Sequence, residues 1–166
     1  MIPGLYTLSE LQEAIAKDPS KWRPIAFTNG CFDIMHAGHV RYLNKSKSLG
    51  RSLIVGLNSD GSVQALKPQR PGAPKRPIVP EMQRAEILCY LKPVDAVVMF
   101  SDTTAIKTIQ AIQPDIYIKG GDYNIETLPE APAVQAYGGR IVFYDFEIPI
   151  STTTIINRIL QTSSFR

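Results

Sequence analysis

The sequence predicts a single α/β domain in which five parallel strands form a doubly wound sheet with helices on both faces. Strand-like and helix-like segments alternate along the 166 residues, as they do when a crossover helix follows each strand. The strand-like segments are nearly continuous apolar runs, which is typical of strands buried on both sides. Polar clusters follow the ends of these runs, where open parallel sheets bind their ligands.

Short apolar runs define the predicted strands. The first covers residues 24–28 and reads PIAFT, and Asn29 and Gly30 interrupt the run directly after it. The remaining strands have the same apolar character and are predicted over residues 52–58, 95–100, 115–120 and 140–146.

The predicted helices lie before and between these strands. In residues 7–17, apolar side chains recur on one helical face, so residues 1–22 are predicted to be an N-terminal helical extension. A helix over residues 37–49 is expected to end at Gly50, since glycine favours helix C-termini. Further helices are predicted over residues 62–66, 81–91, 103–112, 132–137 and 152–161.

Residues 67–80, KPQRPGAPKRPIVP, are predicted to form a basic loop, because so many prolines exclude regular structure. Lys67 directly follows a short helix near the ends of the first two strands, which makes it a candidate for phosphate binding. Arg84 is a second candidate, because a cation in the first turn of a helix needs an anion to compensate it. Lys75 and Arg76 are expected to be solvated side chains of the loop.

The composition argues against several classes of function. Hydrophobic residues make up 44% and charged residues 20% of the chain, which is ordinary for a globular protein. The net charge of +3 is too small to predict a nucleic-acid partner, and no apolar run approaches the roughly 20 residues of a membrane span. Since there is no secretory signal and only two cysteines, the chain is expected to be cytoplasmic, without a disulfide framework and without membrane contact.

Both histidines of the chain lie in the stretch FTNGCFDIMHAGHV, residues 27–40. His36 and His39 are three residues apart at a predicted helix start, so their rings should lie on one face of the first turn. The helix N-terminus disfavours positive charge, so both rings are expected to be neutral donors to phosphate oxygens. A single histidine here could merely pack against Phe32 or cap the helix, but a pair separated by Gly38 favours a functional role.

A metal site is the competing interpretation of the same stretch. Cys31, Asp33, His36 and His39 could all be metal ligands. Their spacing is not that of a zinc finger, and the first two residues lie in a turn before the helix. No intrinsic metal site is therefore expected.

Two common phosphate-binding signatures are missing from the chain. It has no G-x-x-x-x-G-K-[ST] motif, which argues against a P-loop nucleotidase, and no G-x-G-x-x-G after the first strand, which disfavours a nicotinamide enzyme. The turn Asn29-Gly30-Cys31 stands in that place instead, and it can bring backbone N–H groups close to a phosphate chain.

Two further polar clusters fall at the same predicted edge of the sheet. The motif KGGDY places Gly120, Gly121 and Asp122 after the fourth strand, where backbone can pass close to a flat ligand and a carboxylate can accept from ribose or base donors. A tight turn with a capping aspartate is the simpler alternative. Hydroxyl groups also open the last helix, where they either bind an anion or act as plain helix caps: Ser151, Thr152 and Thr153.

Together these features resemble the nucleotidylyltransferase superfamily that carries the HIGH signature, which reads His36-Ala37-Gly38-His39 here. More closely, the stretches FTNGCFDIMHAGHVRYL, LIVGLNSD, VDAVVMF, PDIYIKGGDY and STTTIINRI are similar to the adenylyltransferase family of ADP-heptose synthesis. The similarity runs from about residue 7 to residue 160. In that family the domain often follows a sugar-kinase domain. No such domain occurs in residues 1–166, so a stand-alone transferase is expected.

The resemblance implies a Rossmann-like domain in which a heptose 1-phosphate attacks the α-phosphorus of ATP, giving ADP-heptose and pyrophosphate. Mg²⁺ would accompany ATP, no covalent enzyme intermediate would form, and the enzyme would be a homodimer. His36, His39 and Lys67 are expected to be catalytic, while Asp33 and Arg84, with Lys67, are expected to bind the sugar phosphate. The expected nucleotide-binding residues are Thr28, Asn29, Gly30, Cys31, Phe32, Gly38, Gly120, Gly121, Asp122, Ser151, Thr152 and Thr153.

Two departures from the family patterns keep the substrates open. Glycerol-phosphate cytidylyltransferases place an Arg-Thr pair and a glycine before Ser-Thr-Thr, whereas this chain reads FEIPI at residues 146–150. That difference disfavours the alternative of cytidylyl transfer to a polyol phosphate. The loop at 67–80 is longer than is usual in the heptose family and adjoins the expected acceptor site. A non-catalytic nucleotide-binding or metal-binding module is the non-enzymatic alternative.

Overall fold

The computed structural model describes residues 2–67, 69, 73–121, 123–145 and 148–163. Within these residues the strands are β1 (Leu5–Tyr6), β2 (Ile25–Gly30), β3 (Ser52–Asn58), β4 (Ala96–Phe100), β5 (Ile116–Gly120) and β6 (Arg140–Tyr144). The helices are α1 (Leu8–Lys17), α2 (Pro19–Trp22), α3 (Ala37–Lys47), α4 (Asp60–Leu66), α5 (Glu81–Cys89), α6 (Ile106–Ile112), α7 (Ala131–Gln135) and α8 (Thr152–Ser163).

The strands form one parallel sheet in the order β1-β4-β3-β2-β5-β6. From the central strand β2 the chain continues to β3 and β4 on one side, and then crosses to β5 and β6 on the other. This reversal creates a topological switch point between β2 and β5, where open α/β sheets bind ligands beyond the carboxyl ends of their strands. The predicted doubly wound, Rossmann-like α/β fold is confirmed.

The sixth strand corrects the prediction of a five-stranded sheet. Leu5 and Tyr6 of β1 pair with Val97 and Val98 at the free edge of β4. Two residues are too few to produce the apolar run by which a sequence reveals a strand. The N-terminal extension therefore contributes an edge strand as well as the helices α1 and α2.

Helices cover the sheet on both faces, as the continuous apolar strands predict. On one face, α1, α6 and α7 pack against the sheet through Leu11, Ile109 and Val134. On the other face, α3 and α5 pack through Leu43 and Leu88. Each of these five side chains is fully buried, so the sheet is fixed from both sides and can hold the loops at its carboxyl edge in place.

Strand β2 continues two residues beyond its predicted end. Asn29 and Gly30 pair with Gly56 and Leu57 of β3, so they extend the strand instead of breaking it. The turn into α3 comes later, at Phe32, whose φ of 44° lies in the left-handed region. A Cβ atom on Gly30 would lie 3.1 Å from the Phe32 ring, so a larger residue there would require the ring to shift by a few tenths of an ångström.

Several helix boundaries differ from the predicted ones by two or three residues. Helix α3 ends at Lys47, α5 ends at Cys89 and α6 begins only at Ile106. The described residues of the loop at 67–80 contain neither helix nor strand, in agreement with their proline content. No helix in the described part of the chain is long and apolar enough to cross a membrane.

Candidate active site

The two histidines lie at the start of α3, directly after the central strand β2. His36 is the N-cap residue of α3 and His39 lies in its first turn. Their imidazole rings stack with centroids 3.8 Å apart and an angle of 29° between the ring planes. The prediction that both rings lie on one face of the first turn is confirmed.

Gly38 allows this stacking. A Cβ atom at position 38 would lie 3.0 Å from both Cε1 and Nδ1 of His36, and 3.5 Å from the Cγ2 atom of Ile150. Contacts of 3.0 Å between such atoms are tighter than almost all real packing. A residue larger than glycine would therefore push the His36 ring away from its position over the helix.

The pKa values of both imidazoles are lowered, as the sequence predicts, so the neutral rings are favoured at physiological pH. Burial lowers the pKa of His39 to about 4, with a smaller contribution from the neighbouring His36. Burial also lowers the pKa of His36 below its usual value. The Nδ1 atoms of both rings are buried and have no hydrogen-bond partner among the described residues. Because buried polar atoms are normally paired, this arrangement indicates a site that a ligand completes.

The histidine pair borders a cavity of about 300 Å³ that we call the phosphate cavity. Lys67 reaches this cavity from the end of α4, and the start of α8 closes it from the opposite side. The cavity thus combines neutral imidazoles, a cation, hydroxyl groups and a helix N-terminus, all of which favour an anion. Its sequence-predicted lining residues are Cys31, Phe32, Asp33, His36, His39, Lys67, Ser151, Thr152 and Thr153.

The start of α8 is fixed by local hydrogen bonds. The Ser151 hydroxyl accepts from the Thr154 N–H at 3.1 Å, and it is 2.9 Å from the Thr154 hydroxyl. The Thr152 hydroxyl donates to the Ile34 carbonyl at 3.4 Å, which connects α8 to the segment between β2 and α3. The capping function that the sequence offered as the simpler alternative for Ser151 is therefore present, and the same residues still border the cavity.

A second, larger cavity of about 510 Å³ adjoins the first and is called the polar cavity here. Cys31 and Lys67 border both cavities, so they form one continuous cleft along the carboxyl edge of the sheet. The lining residues of the polar cavity include five that the sequence predicts as site residues, namely Asn29, Gly30, Cys31, Lys67 and Gly120. Asn58 and Lys119 belong to polar clusters that the sequence places at this edge of the sheet. Thr103, Thr104 and Glu130 come from separate elements and were not predicted.

The prediction that Arg84 binds the sugar phosphate is wrong. The residue is 0% exposed and its guanidinium is surrounded by acceptors of the protein. It donates to the carbonyls of Cys31 at 2.6 Å, Asn58 at 2.9 Å and Val79 at 2.8 Å, and to Oδ1 of Asp60 at 2.7 Å. The anionic compensation that a cation at a helix start requires thus comes from inside the protein.

Asp33 borders the phosphate cavity, but its carboxylate holds the loop at 67–80. It is 1% exposed, and its carboxylate accepts from the backbone N–H groups of Ile78 and Val79, each at 2.8 Å. Arg76 donates to the same carboxylate, so its side chain is largely buried and not solvated as predicted. The sequence could not indicate this pairing, since the partners are 43 residues apart.

The interpretation of residues 27–40 as a metal site loses one of its candidate ligands, Asp33. The Asp33 carboxylate is occupied by the loop, as described above. Among the described residues, no three His, Cys, Asp or Glu side chains are grouped so that they could hold a metal ion.

The remaining predicted nucleotide-binding positions are Thr28, Gly120, Gly121 and Asp122. Thr28 is 0% exposed and its hydroxyl lies 2.7 Å from the Tyr42 hydroxyl, so its side chain lies beneath the cleft and not in it. Gly120 borders the cleft at the end of β5, and Gly121 follows with a φ of 101°, a conformation that requires glycine. Asp122 lies outside the described residues.

Comparisons with known proteins agree with this geometry. A profile of the family described as cytidylyltransferase-like matches residues 27–158. The chain is 45% identical over 158 residues to the bifunctional protein HldE of Citrifermentans bemidjiense, and the match covers 95% of this chain. The chain spans only 31% of the length of that relative.

Solved structures show the same fold. A lipopolysaccharide core biosynthesis protein from Thermoplasma volcanium superposes with a TM-score of 0.60 at 26% identity, covering 74% of this chain and 95% of that one. Pantoate-beta-alanine ligase from Francisella tularensis superposes with a TM-score of 0.59 at 14% identity, covering 99% of this chain and 80% of that one. The second similarity concerns the fold alone.

The region that matches the family profile contains the parts of the site described above. It begins in β2, includes the stacked histidines at the start of α3, and ends in α8, whose first turn closes the phosphate cavity. The site is therefore built from the matched region. Since the family profile covers most of the chain, the chain belongs to the cytidylyltransferase-like family and is a nucleotidyltransferase.

Proposed function

We propose that the chain transfers AMP from ATP to a sugar 1-phosphate, a heptose 1-phosphate in particular, and releases pyrophosphate. A phosphate oxygen of the acceptor forms a bond to the α-phosphorus of ATP. The bond between that phosphorus and the oxygen leading to the β-phosphate breaks, and both electrons leave with pyrophosphate. Magnesium enters with ATP as part of the substrate.

The stacked histidine pair supports this proposal more than any other observation. Two neutral imidazoles face an anion-favouring cavity, and each has a buried nitrogen without a partner among the described residues. Neutral rings can donate hydrogen bonds to phosphate oxygens without requiring a counter-charge of their own. Donors fixed in advance act most strongly on the charge that develops in the transition state.

Lys67 and the first turn of α8 supply the remaining charge stabilisation. Lys67 borders both cavities, so its ammonium group can neutralise phosphate oxygens of either substrate. The backbone N–H groups at the start of α8 and the hydroxyls of Ser151–Thr153 can hold the departing pyrophosphate. Positioning and charge stabilisation are the main requirements of a phosphoryl-type transfer.

The acceptor phosphate can act as the nucleophile without help from a base, because it is already ionised. The thiol of Cys31, which borders the cleft, is a poor competitor for that role. Burial raises the pKa of the Cys31 thiol, so the thiol stays protonated and weakly nucleophilic. Direct in-line transfer between the two substrates is therefore favoured over a covalent enzyme intermediate.

The choice of substrates rests on sequence similarity. The stretches from FTNGCFD to KGGDY and STTT match the ADP-heptose adenylyltransferase pattern, and relatives such as the HldE protein above align over most of this chain. The family description keeps one second candidate, cytidylyl transfer from CTP to a polyol phosphate. A homodimer and a cytoplasmic location stay predictions.

A substrate matrix tests the proposal. Pyrophosphate release is measured with ATP, CTP, GTP and UTP, each combined with heptose 1-phosphate, mannose 1-phosphate or glycerol 3-phosphate, and the products are identified by mass. We expect the highest kcat/KM for ATP with heptose 1-phosphate, and no release when the acceptor is left out. Turnover with CTP and glycerol phosphate, but not with ATP, would establish the second candidate instead.

The variant Gly38→Ala tests the requirement for the histidine stack. Its new methyl group meets the His36 ring at 3.0 Å, so the ring must move. The required shift is a few tenths of an ångström, and a displacement of about 1 Å can cost on the order of 10²-fold in rate, so kcat should fall by less than that, roughly several-fold. Gly61→Ala is the matched control, since Gly61 is also the second residue of a helix and a Cβ atom there would meet only the Ser59 Oγ atom, at 4.0 Å. Equal loss of turnover in both variants would contradict the role assigned to Gly38.

A further inference from the structure

The polar cavity contains a buried carboxylate that is only half satisfied. Glu130 precedes α7 and is 3% exposed. Its Oε1 atom accepts from the N–H group of Ala105 at 3.3 Å, at the start of α6. Its Oε2 atom is buried and has no hydrogen-bond partner among the described residues. A buried carboxylate oxygen without a donor is unfavourable, which indicates that a ligand supplies the donor.

A lysine lies beside this carboxylate without binding it closely. The Nζ atom of Lys119 is 3.9 Å from Oε1 of Glu130, too far for a hydrogen bond. It donates instead to Oδ1 of Asn29 at 3.4 Å and to the Tyr117 hydroxyl at 3.3 Å, both of which are long hydrogen bonds. The Tyr117 proton is itself donated to Asn29 at 2.7 Å. Because an ammonium group has three N–H donors, at least one is left for a ligand.

Two features of this environment act on the pKa of Lys119. Burial lowers the pKa of Lys119, and the neighbouring Glu130 carboxylate acts in the opposite direction. Lys119 and Glu130 lie side by side at the wall of the polar cavity, with Nζ and Oε1 3.9 Å apart.

Polyhydroxylated ligands fit this pair of charges. A hydroxyl group donates one hydrogen bond and accepts others, so two neighbouring hydroxyls can donate to a carboxylate while accepting from an ammonium group. The rest of the cavity wall continues this polar character through Asn58, Thr103 and Thr104. Its volume of about 510 Å³ lies within the usual range for small-molecule sites.

We propose that the polar cavity holds the hydroxyl-bearing part of the acceptor, and that Glu130 and Lys119 determine the preference for a polyhydroxylated sugar phosphate. This inference rests on the proposed transferase function. Lys67 and Cys31 connect the cavity to the histidines, so the acceptor phosphate can lie at Lys67 while its sugar extends along β5 toward Glu130. Glu130 and Lys119, and not Asp33, then contact the acceptor.

The variant Glu130→Gln tests this assignment. It keeps the side-chain shape and the oxygen that accepts from Ala105, but it removes the charge and one acceptor at the cavity wall. The KM for the sugar 1-phosphate should rise at least 10-fold, because a hydrogen bond to a charged group contributes about that factor in affinity. The KM for ATP should change less than twofold. The control is Glu126→Gln, which makes the same replacement at an exposed position four residues away.

A second acceptor substrate distinguishes recognition of the sugar by Glu130 from a purely structural role of this residue. Ethyl phosphate has the reacting phosphate but no hydroxyl groups, so its kcat/KM should be the same in Glu130→Gln and in the unmodified protein. A parallel loss with ethyl phosphate, sugar phosphate and ATP would assign Glu130 to folding and overturn the proposal. An unchanged KM for the sugar phosphate would overturn it as well.

A binding measurement keeps this test independent of turnover. If no nucleotide supports transfer, the proposed function fails, yet the cavity can still be titrated with mannose 1-phosphate by calorimetry. Binding that is at least 10-fold weaker in Glu130→Gln than in Glu126→Gln supports the sugar site. Equal binding in the two variants, or no binding to the unmodified protein, overturns it.

Discussion

Replacing His39 by alanine should lower kcat by about 10²–10³-fold while the fold stays intact. That factor is typical for the loss of one preorganised donor to the charge of a transition state. The ring of His39 packs between the His36 ring, at 3.8 Å, and the Phe32 ring, at 5.5 Å, so it is held in place before any substrate arrives. Pyrophosphate release under saturating substrates measures the effect directly.

The control for this experiment is Val40→Ala, one residue further along the same helix. Val40 is 41% exposed, so removing its methyl groups should alter neither turnover nor the unfolding transition appreciably. Unchanged kcat in His39→Ala would show that the imidazole is not part of the catalytic machinery. A loss of turnover equal to that of Val40→Ala would have the same meaning.

The pH dependence of the free energy of unfolding is a second, independent readout for the His39→Ala variant. The pKa of His39 is about 4 in the folded chain and 6.5 for an ordinary histidine. Between these values the unfolded chain binds a proton that the folded chain does not, so this group reduces stability as pH falls below 6.5. His39→Ala removes that contribution. As the pH is lowered from 7 to 5, the free energy of unfolding of the variant should therefore increase relative to that of the unmodified protein.

Replacing Arg84 by methionine should lower the free energy of unfolding by about 3–5 kcal/mol, as expected when one member of a buried charged network is removed. The guanidinium bonds to three backbone carbonyls and to Asp60, and methionine offers none of these donors. Two of the carbonyls belong to Cys31 and Asn58, at the ends of β2 and β3. Urea denaturation followed by circular dichroism measures the loss.

Two further variants make the Arg84 experiment decisive. Arg41→Met replaces an exposed arginine of α3 and should change stability by no more than about 0.5 kcal/mol. Arg84→Lys keeps the positive charge but cannot reach four separate acceptors, so it should remain strongly destabilised. If Arg84→Lys were as stable as the unmodified protein and altered only the KM of a phosphate substrate, Arg84 would be a substrate ligand after all.

The sequence predicted those features that local patterns encode. Apolar runs revealed five of the six strands, and the spacing of His36 and His39 gave the position of both rings on one helical face. The lowered pKa values of the two rings were also predicted, but from the helix N-terminus, whereas the structure shows burial as a cause. Each of these inferences depends on residues that are close together in the chain.

The wrong predictions concern contacts between distant parts of the chain. Arg84 meets Cys31, 53 residues away, and Asp33 meets the backbone of Ile78, 45 residues away. A sequence shows the charge of each side chain but not which partner reaches it, so both residues looked available for substrate. Glu130 was missed for the same reason, because its isolation beside Lys119 exists only after β5 and α7 come together.

Lys67 borders both halves of the cleft, and this shared position has a thermodynamic consequence. An anion in either half partly neutralises the same ammonium group and so changes the attraction felt by an anion in the other half. The two binding equilibria are therefore linked, and linkage is reciprocal: each ligand changes the dissociation constant of the other by the same factor. One lysine thus makes the affinity for each anionic substrate depend on whether the other is already bound.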